Sequence, residues 1–263
     1  MKIENFYSYA NFLTNISKSL RKITLDLFNE PYITKLKNDN SPVTKYDLQI
    51  EDLVRSRILK EYPNHNIIGE EFENIYKGSR YTWIIDPIDG TKSFMSGRPL
   101  WGTMIALMYK YKPIISMVDF PKLNQIWIGY KDNLFLNGDK FNYKEKKELE
   151  FNDIVFASTA PELFQTENLY KINKIIKKVK FNIWSGDCHN YLSIIEGKID
   201  LIIEQNLKCW DILPILPMIE SQRLFIRDWY GNKIIFDGNI DKKFSVIATN
   251  QIKILKKTVN YLN

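Results

Sequence analysis

The first thirty residues carry apolar side chains at helical spacing. Intervals of three or four residues separate Phe12, Ile16, Leu20, Ile23 and Leu27. Such intervals place side chains on one face of an α-helix, so we predict an amphipathic helix that ends before Pro31. A second helix is predicted to begin at residues 41–44, with an apolar face formed by Ile50, Val54 and Ile58.

Short apolar runs separated by turn residues predict strands in the middle of the chain. Buried strands are expected at residues 67–68 and 81–85, because each run is apolar or aromatic and leads to a carboxylate. An antiparallel meander is expected from the runs at 103–108, 114–118 and 125–130. Beyond residue 153 the predicted elements alternate: a helix at 172–179, a strand at 201–203, a helix from 211 to 219 and a closing helix at 252–261. This mixture indicates a layered α+β fold with at least one extended sheet.

Composition narrows the class of protein. The chain has 263 residues, of which 44% are hydrophobic, enough for a sizeable core. It contains no repeat or low-complexity linker, so we predict one unit over residues 1–263, with approximate halves at 1–150 and 151–263. Cys188 and Cys209 belong to no C-x-x-C pair and are expected to be core thiols in a reducing compartment. The N-terminus lacks the apolar core of a signal peptide, and we expect a cytoplasmic protein without a membrane partner.

Charge adds little to this picture. The excess of Lys and Arg (37) over Asp and Glu (31) gives a net charge of +6. The lysines are scattered among acidic residues, and those of the helix at 172–179 are expected to form a solvated face. Nucleic-acid binding is therefore not predicted.

The strongest chemical signal lies in residues 83–94. A buried strand leads to Asp86, and a second carboxylate, Asp89, follows three residues later. These two groups and the Ile88 carbonyl could converge on a hard cation, which prefers oxygen ligands. The amides of Gly90 and Thr91 could bind an anion at a helix start. An Asp-Pro turn followed by an ordinary helix cap fits the same spacing, and spacing alone leaves both interpretations open.

Three further carboxylates favour a metal site. Glu70 follows the strand at 67–68, Asp211 stands at a predicted helix start, and Asp47 lies in the first turn of the second helix. Each has a structural alternative: a charged strand end for Glu70, a helix-dipole position for Asp211, and a capping pair with Thr44 for Asp47.

Taken as a set, these motifs resemble the inositol monophosphatase family of metal-dependent phosphatases, over nearly the whole chain. The matching segments are Gly69-Glu70-Glu71, Asp86-Pro87-Ile88-Asp89-Gly90-Thr91, Leu134-Phe135-Leu136-Asn137-Gly138 and Trp210-Asp211. The resemblance implies a layered αβαβα sandwich, shared with the fructose-1,6-bisphosphatases. It also implies a Mg²⁺-dependent phosphomonoesterase that acts on a small phosphorylated metabolite as a homodimer.

Within the family, several stretches look like the histidinol-phosphatase branch. They are residues 90–94, residues 96–103 and Ser185-Gly186-Asp187-Cys188. The expected substrate is L-histidinol phosphate, in histidine biosynthesis. Two departures stand out: Ile183 replaces an expected arginine, and residues 221–223 replace an expected glycine pair.

The resemblance also assigns roles. Metal ligands would be Glu70, Asp86, Asp89, Asp211 and the Ile88 carbonyl, with Asp47 near a third, weaker ion; two or three Mg²⁺ ions are expected, with Mn²⁺ as a possible substitute. Glu70 and Thr91 would orient a metal-activated water that attacks phosphorus directly, without a phosphoenzyme. Asp89, Gly90 and Thr91 would bind the substrate, with the amides of Gly90 and Thr91 holding its phosphate oxygens. Asp187 and Glu204 would bind the organic part of the substrate, although Asp187 could instead cap its helix.

Other functions remain as alternatives. An inositol-1-phosphatase and a 3′,5′-bisphosphate nucleotide phosphatase are the competing enzymes, and a phosphate-sensing relative is the non-enzyme alternative. A Walker P-loop and a serine-hydrolase elbow are excluded, because neither pattern is present. Trp101, Trp184 and His189 could flank an imidazole or simply pack, and His65 is expected to be exposed in a loop.

Overall fold

Residues 3–29, 34–36 and 42–263 are described by this computed structural model. The helices among them are α1 (Ile3–Phe28), α2 (Lys45–Glu61), α3 (Thr91–Met95), α4 (Thr166–Ile176), α5 (Asp187–Ile195), α6 (Cys209–Ile212), α7 (Leu216–Ser221) and α8 (Ile252–Leu262). The strands are β1 (Thr34–Leu36), β2 (Pro42–Thr44), β3 (Asn66–Gly69), β4 (Tyr81–Asp89), β5 (Gly102–Tyr109), β6 (Lys112–Phe120), β7 (Gln125–Tyr130), β8 (Asn133–Leu136), β9 (Asp139–Phe141), β10 (Val155–Ser158), β11 (Phe181–Trp184), β12 (Leu201–Leu207), β13 (Phe225–Asp228) and β14 (Phe244–Thr249).

Two large sheets organise the chain. The first has seven strands in the order β3 to β9; β3 and β4 are parallel, and the remaining neighbours are antiparallel. The predicted meander forms its centre. The second has the order β11-β10-β12-β14-β13, with β10 parallel to both of its neighbours and β14 antiparallel to both of its own. β1 and β2 pair separately as a two-stranded antiparallel sheet.

The elements stack in five layers. On β4, Trp83 and Ile85 face α1 and α2, whereas Ile84 faces a middle layer made of α5, α6 and α7. This alternation follows from the two-residue period of a strand. The five-stranded sheet covers the other side of the middle layer, and α4 and α8 cover its outer face. The predicted αβαβα sandwich is therefore confirmed.

Helix α1 packs its predicted apolar face against the first sheet. Ile16, Leu20 and Leu27 of that face are buried in the core that includes Trp83, and Phe12 and Ile23 are partly buried against it. Among the described residues, no helix combines the length and the apolar character needed to cross a bilayer. Pro31, expected to follow this helix, lies outside the described residues.

Two predicted helix boundaries are wrong. The second helix begins at Lys45, because residues 42–44 pair as β2; Ser41 lies outside the described residues. The helix expected over 211–219 is two short helices, α6 and α7, joined by a turn. Pro214 and Pro217 explain the break, since proline lacks an amide donor and its ring clashes with the carbonyl four residues earlier.

Candidate active site

A bulge at the end of β4 brings two carboxylates to one face of the sheet. The strand continues through Asp89 instead of ending at Asp86, and its register with β5 shifts between these residues. In a regular strand, residues three apart point to opposite faces. The extra residue of a bulge reverses this relation. The hydroxyl of Thr103 on β5 donates to the Pro87 carbonyl at 2.8 Å and holds the bulge in place.

The third carboxylate comes from the distant α6. Asp211 is the third residue of this helix, and its Oδ2 accepts the amide of Lys208 at 2.7 Å. Helix α6 packs against β4. One carboxylate oxygen each from Asp86, Asp89 and Asp211 lie within 4.8 Å of one another. The structure thus brings together three of the carboxylates that the sequence singled out.

Burial and nearby negative charges raise the pKa values of two carboxyl groups of this cluster, Asp89 and Asp211. Burial, followed by the charges of Asp187 and Asp211, raises the pKa of Asp89 well above its ordinary value. Burial, followed by the charge of Glu70, raises the pKa of Asp211 to about 7. A divalent cation would offset this repulsion, and an all-oxygen carboxylate set suits Mg²⁺ or Mn²⁺. The residues present therefore fit the expected metal.

Glu70 and Asp47 belong to two other parts of the chain, the residue after β3 and the first turn of α2. Because β3 and β4 are parallel and Gly69 pairs with Ile85, Glu70 follows β3 beside the level of Asp86. Its influence on the pKa of Asp211 places its charge near that carboxylate. Asp47 is 2% exposed in the first turn of α2, a helix that packs on β4.

The start of α3 follows the bulge directly. Gly90 adopts a φ of 81°, a left-handed conformation that glycine accepts readily, and its carbonyl accepts the amide of Phe94 at 2.9 Å. The Thr91 hydroxyl donates to the carbonyl of Ile88 at 3.1 Å. The carbonyl predicted to bind metal and the hydroxyl predicted to orient water therefore lie in the same turn. The first amides of a helix have no partner within it and are available to an anion.

Asp187 stands at the start of α5 on a strained backbone. Ser185, Gly186 and Asp187 have φ values of 93°, 115° and 44° in succession. Such left-handed runs cost free energy and persist where the surroundings enforce them. The next residue, Cys188, donates its amide to Oδ2 of Asp89 at 2.6 Å, which ties α5 to the carboxylate cluster.

The Asp187 side chain lies against α3. The hydroxyl of Ser93 donates to its Oδ2 at 3.4 Å, and a Cβ on Gly90 would lie 3.1 Å from the same oxygen. Burial raises the pKa of Asp187 to about 6, and the charge of Lys92 opposes this increase. Asp187 is thus held beside the carboxylate cluster while remaining partly accessible.

Glu204 is placed differently from Asp187. It lies in the middle of β12, which runs on to Leu207, and it is 1% exposed. One oxygen accepts the amide and hydroxyl of Thr159 at 3.1 and 2.6 Å, and the other accepts the Tyr191 hydroxyl at 2.6 Å. Burial raises the pKa of Glu204 to about 7. Its substrate-binding role remains a prediction.

The aromatic candidates are largely packed. Trp101 is fully buried, 4.8 Å from Phe94 and 5.5 Å from Phe28 between ring centroids, so it cannot flank a substrate. His189 packs edge-on against Phe120 at 5.3 Å. Trp184 is partly buried against Phe156.

The sequence did not indicate three side chains that support the site: Ser93, Thr159 and Tyr191. Tyr191 follows Asp187 by four residues, which places both on one face of α5, and this spacing could have indicated it. Ser93 follows Asp89 by four residues inside the recognised motif. Thr159 reaches Glu204 only through the pairing of β10 with β12, which no local pattern reveals.

Comparison with known proteins decides the family. A model of the inositol monophosphatase family matches residues 9–258. The chain belongs to this family. The chloroplastic bifunctional phosphatase IMPL2 of Arabidopsis thaliana is 33% identical over 268 residues, covering 99% of this chain and 76% of that protein. A histidinol-phosphatase of Chlorobaculum parvum is 28% identical, covering 85% and 86%.

The solved structures agree with this assignment. An inositol monophosphatase from Zymomonas mobilis superposes with a TM-score of 0.84 at 28% identity, covering 98% of each chain. Members of the inositol monophosphatase family are Mg²⁺-using phosphatases that hydrolyse phosphomonoesters of small molecules. The predicted enzyme class, a metal-dependent phosphoric monoester hydrolase, is therefore confirmed.

Proposed function

We propose that this chain hydrolyses L-histidinol phosphate to L-histidinol and phosphate, and so serves histidine biosynthesis. The position of Asp187 carries the proposal. Its carboxylate accepts a hydrogen bond from Ser93, and its charge acts on Asp89 of the carboxylate cluster, to which the adjacent Cys188 amide is bonded. Histidinol phosphate carries a cationic amine near its phosphate, whereas an inositol ring offers only hydroxyl groups. A carboxylate in this place favours the cationic substrate.

We assign the metal to the oxygens of Glu70, Asp86, Asp89, Asp211 and the Ile88 carbonyl, with Asp47 near a third position. Bound Mg²⁺ would lower the pKa of a coordinated water and neutralise charge on phosphate. Two or three ions, replaceable by Mn²⁺, are proposed, and calorimetric titration of the metal-free protein would count them. We also propose a homodimer, which light scattering on the purified protein would test.

Glu70 and Thr91 orient and deprotonate the attacking water in this proposal. The Thr91 hydroxyl already donates its proton to the Ile88 carbonyl, so its oxygen is left to accept a hydrogen bond from water. Glu70, as general base, takes up the proton of this water that does not face Thr91. The phosphoryl oxygens bind the amides of Gly90 and Thr91 as negative charge develops on them. With Ile183 in place of a basic residue, these amides and the metal carry most of the phosphate binding.

The test compares kcat/KM for histidinol phosphate and inositol-1-phosphate in the wild type and in Asp187→Asn. Asparagine tolerates the left-handed backbone and can still accept from Ser93, so it removes mainly the charge. Loss of a charged hydrogen bond should reduce kcat/KM for histidinol phosphate roughly ten- to hundredfold and spare the inositol ester. Asp153→Asn, an exposed change of the same kind, should leave both values unchanged. A wild type that prefers inositol-1-phosphate would refute the proposal.

A further inference from the structure

A buried ion pair on α2 lies directly beneath the segment that follows Glu70. The Arg55 Nε donates to Oε1 of Glu51 at 2.7 Å, and the two side chains are 7% and 0% exposed. They stand one helical turn apart, and Glu51 follows Asp47 by the same interval. One face of α2 therefore presents Asp47, Glu51 and Arg55 in succession.

Within the described part of the chain, the other hydrogen bonds of this pair reach the backbone of residues 71–73. Oε2 of Glu51 accepts the amide of Glu71 at 2.8 Å, and Oε1 accepts the amide of Phe72 at 3.3 Å. Arg55 donates to the carbonyls of Phe72 and Glu73 at 3.1 and 3.0 Å. Donors and acceptors of the segment are thus both bound, which fixes the position and the direction of the chain immediately after Glu70.

Glycine at position 69 makes this approach possible. A Cβ there would lie 2.1 Å from Oε1 of Glu51 and 2.8 Å from an Arg55 nitrogen. No side chain larger than hydrogen fits unless the ion pair moves away. Glu70 is therefore held on one side by the pairing of Gly69 with Ile85 and on the other by the ion pair.

We propose that Glu51 and Arg55 are positioning residues that aim Glu70 at the metal and the attacking water. A buried ion pair adds little net stability compared with apolar residues of similar volume, so stability alone explains it poorly. Partners that orient a metal ligand typically account for ten- to a hundredfold in metal affinity or activity. The inference rests on the proposed metal role of Glu70.

The experiment titrates metal-free protein with Mn²⁺ and follows free Mn²⁺ by electron paramagnetic resonance. Glu51→Gln keeps the size of the side chain and weakens its hydrogen bonds with Arg55 and with the backbone amides of residues 71 and 72. We expect about a tenfold loss of affinity for one ion, the one held by Glu70, with binding at Asp86, Asp89 and Asp211 unchanged. In turnover, kcat at limiting Mg²⁺ should fall and recover at high Mg²⁺, while KM for substrate stays constant.

A second ion pair, in which the carboxylate is buried, provides the control. Asp200, immediately before β12, is 3% exposed, and its Oδ1 accepts a hydrogen bond from Lys146 at 2.7 Å. Asp200→Asn should lower the melting temperature and leave the Mn²⁺ titration unchanged. A folded Glu51→Gln protein that behaves in this way would overturn the proposal. If Glu51→Gln does not fold, the same titration is carried out on Arg55→Lys. This variant keeps the positive charge but lacks the planar guanidinium that donates to Glu51 and to the carbonyls of Phe72 and Glu73.

Glu70→Gln separates the two hypotheses. If it weakens Mn²⁺ binding and Glu51→Gln does not, the positioning role is wrong while the metal role of Glu70 stands. If Glu70→Gln leaves Mn²⁺ binding intact, the metal role of Glu70 is itself wrong.

Discussion

Glu204 is a carboxyl group whose ionisation is coupled to folding. Burial raises its pKa to about 7 in the folded protein, against an ordinary value of 4.5. The folded state therefore binds the proton more tightly than the unfolded chain does. Its contribution to stability is complete below about pH 4.5 and is lost as the pH rises through 7. The full difference is on the order of 3 kcal/mol.

Glu204→Gln should remove this pH dependence, because an amide does not ionise. Relative to the wild type, the variant should gain stability between pH 5 and pH 8, by up to about 3 kcal/mol. Urea denaturation in the presence of a chelator measures the free energy of unfolding at each pH. The same change at the exposed Glu220 serves as the control for the substitution itself. A difference between wild type and Glu204→Gln that does not vary with pH would contradict the burial argument.

At the scale of elements, Gly129 sets the distance between the first sheet and the middle layer. A Cβ at this position of β7 would lie 2.9 Å from Cα and 3.0 Å from the amide nitrogen of Met218 on α7. Both neighbours are backbone atoms, which cannot rotate away as the end of a side chain can. Helix α7 can pack this closely because β7 carries glycine there.

Gly129→Ala should therefore destabilise the protein by about 1–3 kcal/mol, the usual cost of overpacking. Thermal and urea unfolding would measure the loss. Truncating the side chain in Gly129→Ala/Met218→Ala should not restore stability, since the clash involves the Met218 backbone. Recovery in the double variant would show instead that the side chain causes the strain.

The pattern of apolar residues along the chain predicted those helices and strands whose formation depends on residues close in sequence. The apolar run before Asp86 identified β4, and the spacing from Phe12 to Leu27 identified α1. The bulge that redirects Asp89 depends on the register with β5, which no single run encodes. His65 was predicted to be exposed and is instead stacked between Tyr62 and Tyr81, at 5.0 and 4.9 Å.

The same division applies to the site. The sequence indicated Asp86, Asp89 and Asp211 by residue type and motif, and the structure gathers them. It could not indicate that Glu204 is enclosed by Thr159 and Tyr191, because these contacts arise from packing between β10, β12 and α5. Residue chemistry is local information, whereas burial belongs to the assembled fold.

At the scale of the whole molecule, the carboxylate cluster joins the first sheet to the middle layer. Asp86 and Asp89 come from β4, and Asp211 comes from α6, far along the chain. Asp211, with a pKa of about 7, is largely ionised at pH 8. Without metal, like charges then repel across this junction, and a bound cation reverses the effect.

Asp211→Asn should consequently raise the melting temperature of the metal-free protein at pH 8 by about 2–4 °C. The substitution should also reduce the stabilisation that Mg²⁺ gives the folded protein. For the wild type, mass action sets this gain in the free energy of unfolding at about 2.7 kcal/mol when the Mg²⁺ concentration is a hundred times its Kd. Differential scanning calorimetry with and without Mg²⁺ measures both effects. Asp153→Asn, an exposed change of the same kind, should change neither. A lower metal-free melting temperature in Asp211→Asn would contradict the repulsion argument.

The shared middle layer has a consequence for the nascent chain. The seven strands from β3 to β9 leave the ribosome before α5, α6 and α7 have been synthesised. One face of their sheet, which carries Ile84, Met104 and Trp127, is covered in the finished protein by side chains such as Tyr191 and Ile215. Until those residues emerge, that apolar face is open to other chains. A pause in translation between β9 and α5 would therefore expose an aggregation-prone sheet, and chaperone capture would be needed most at that point.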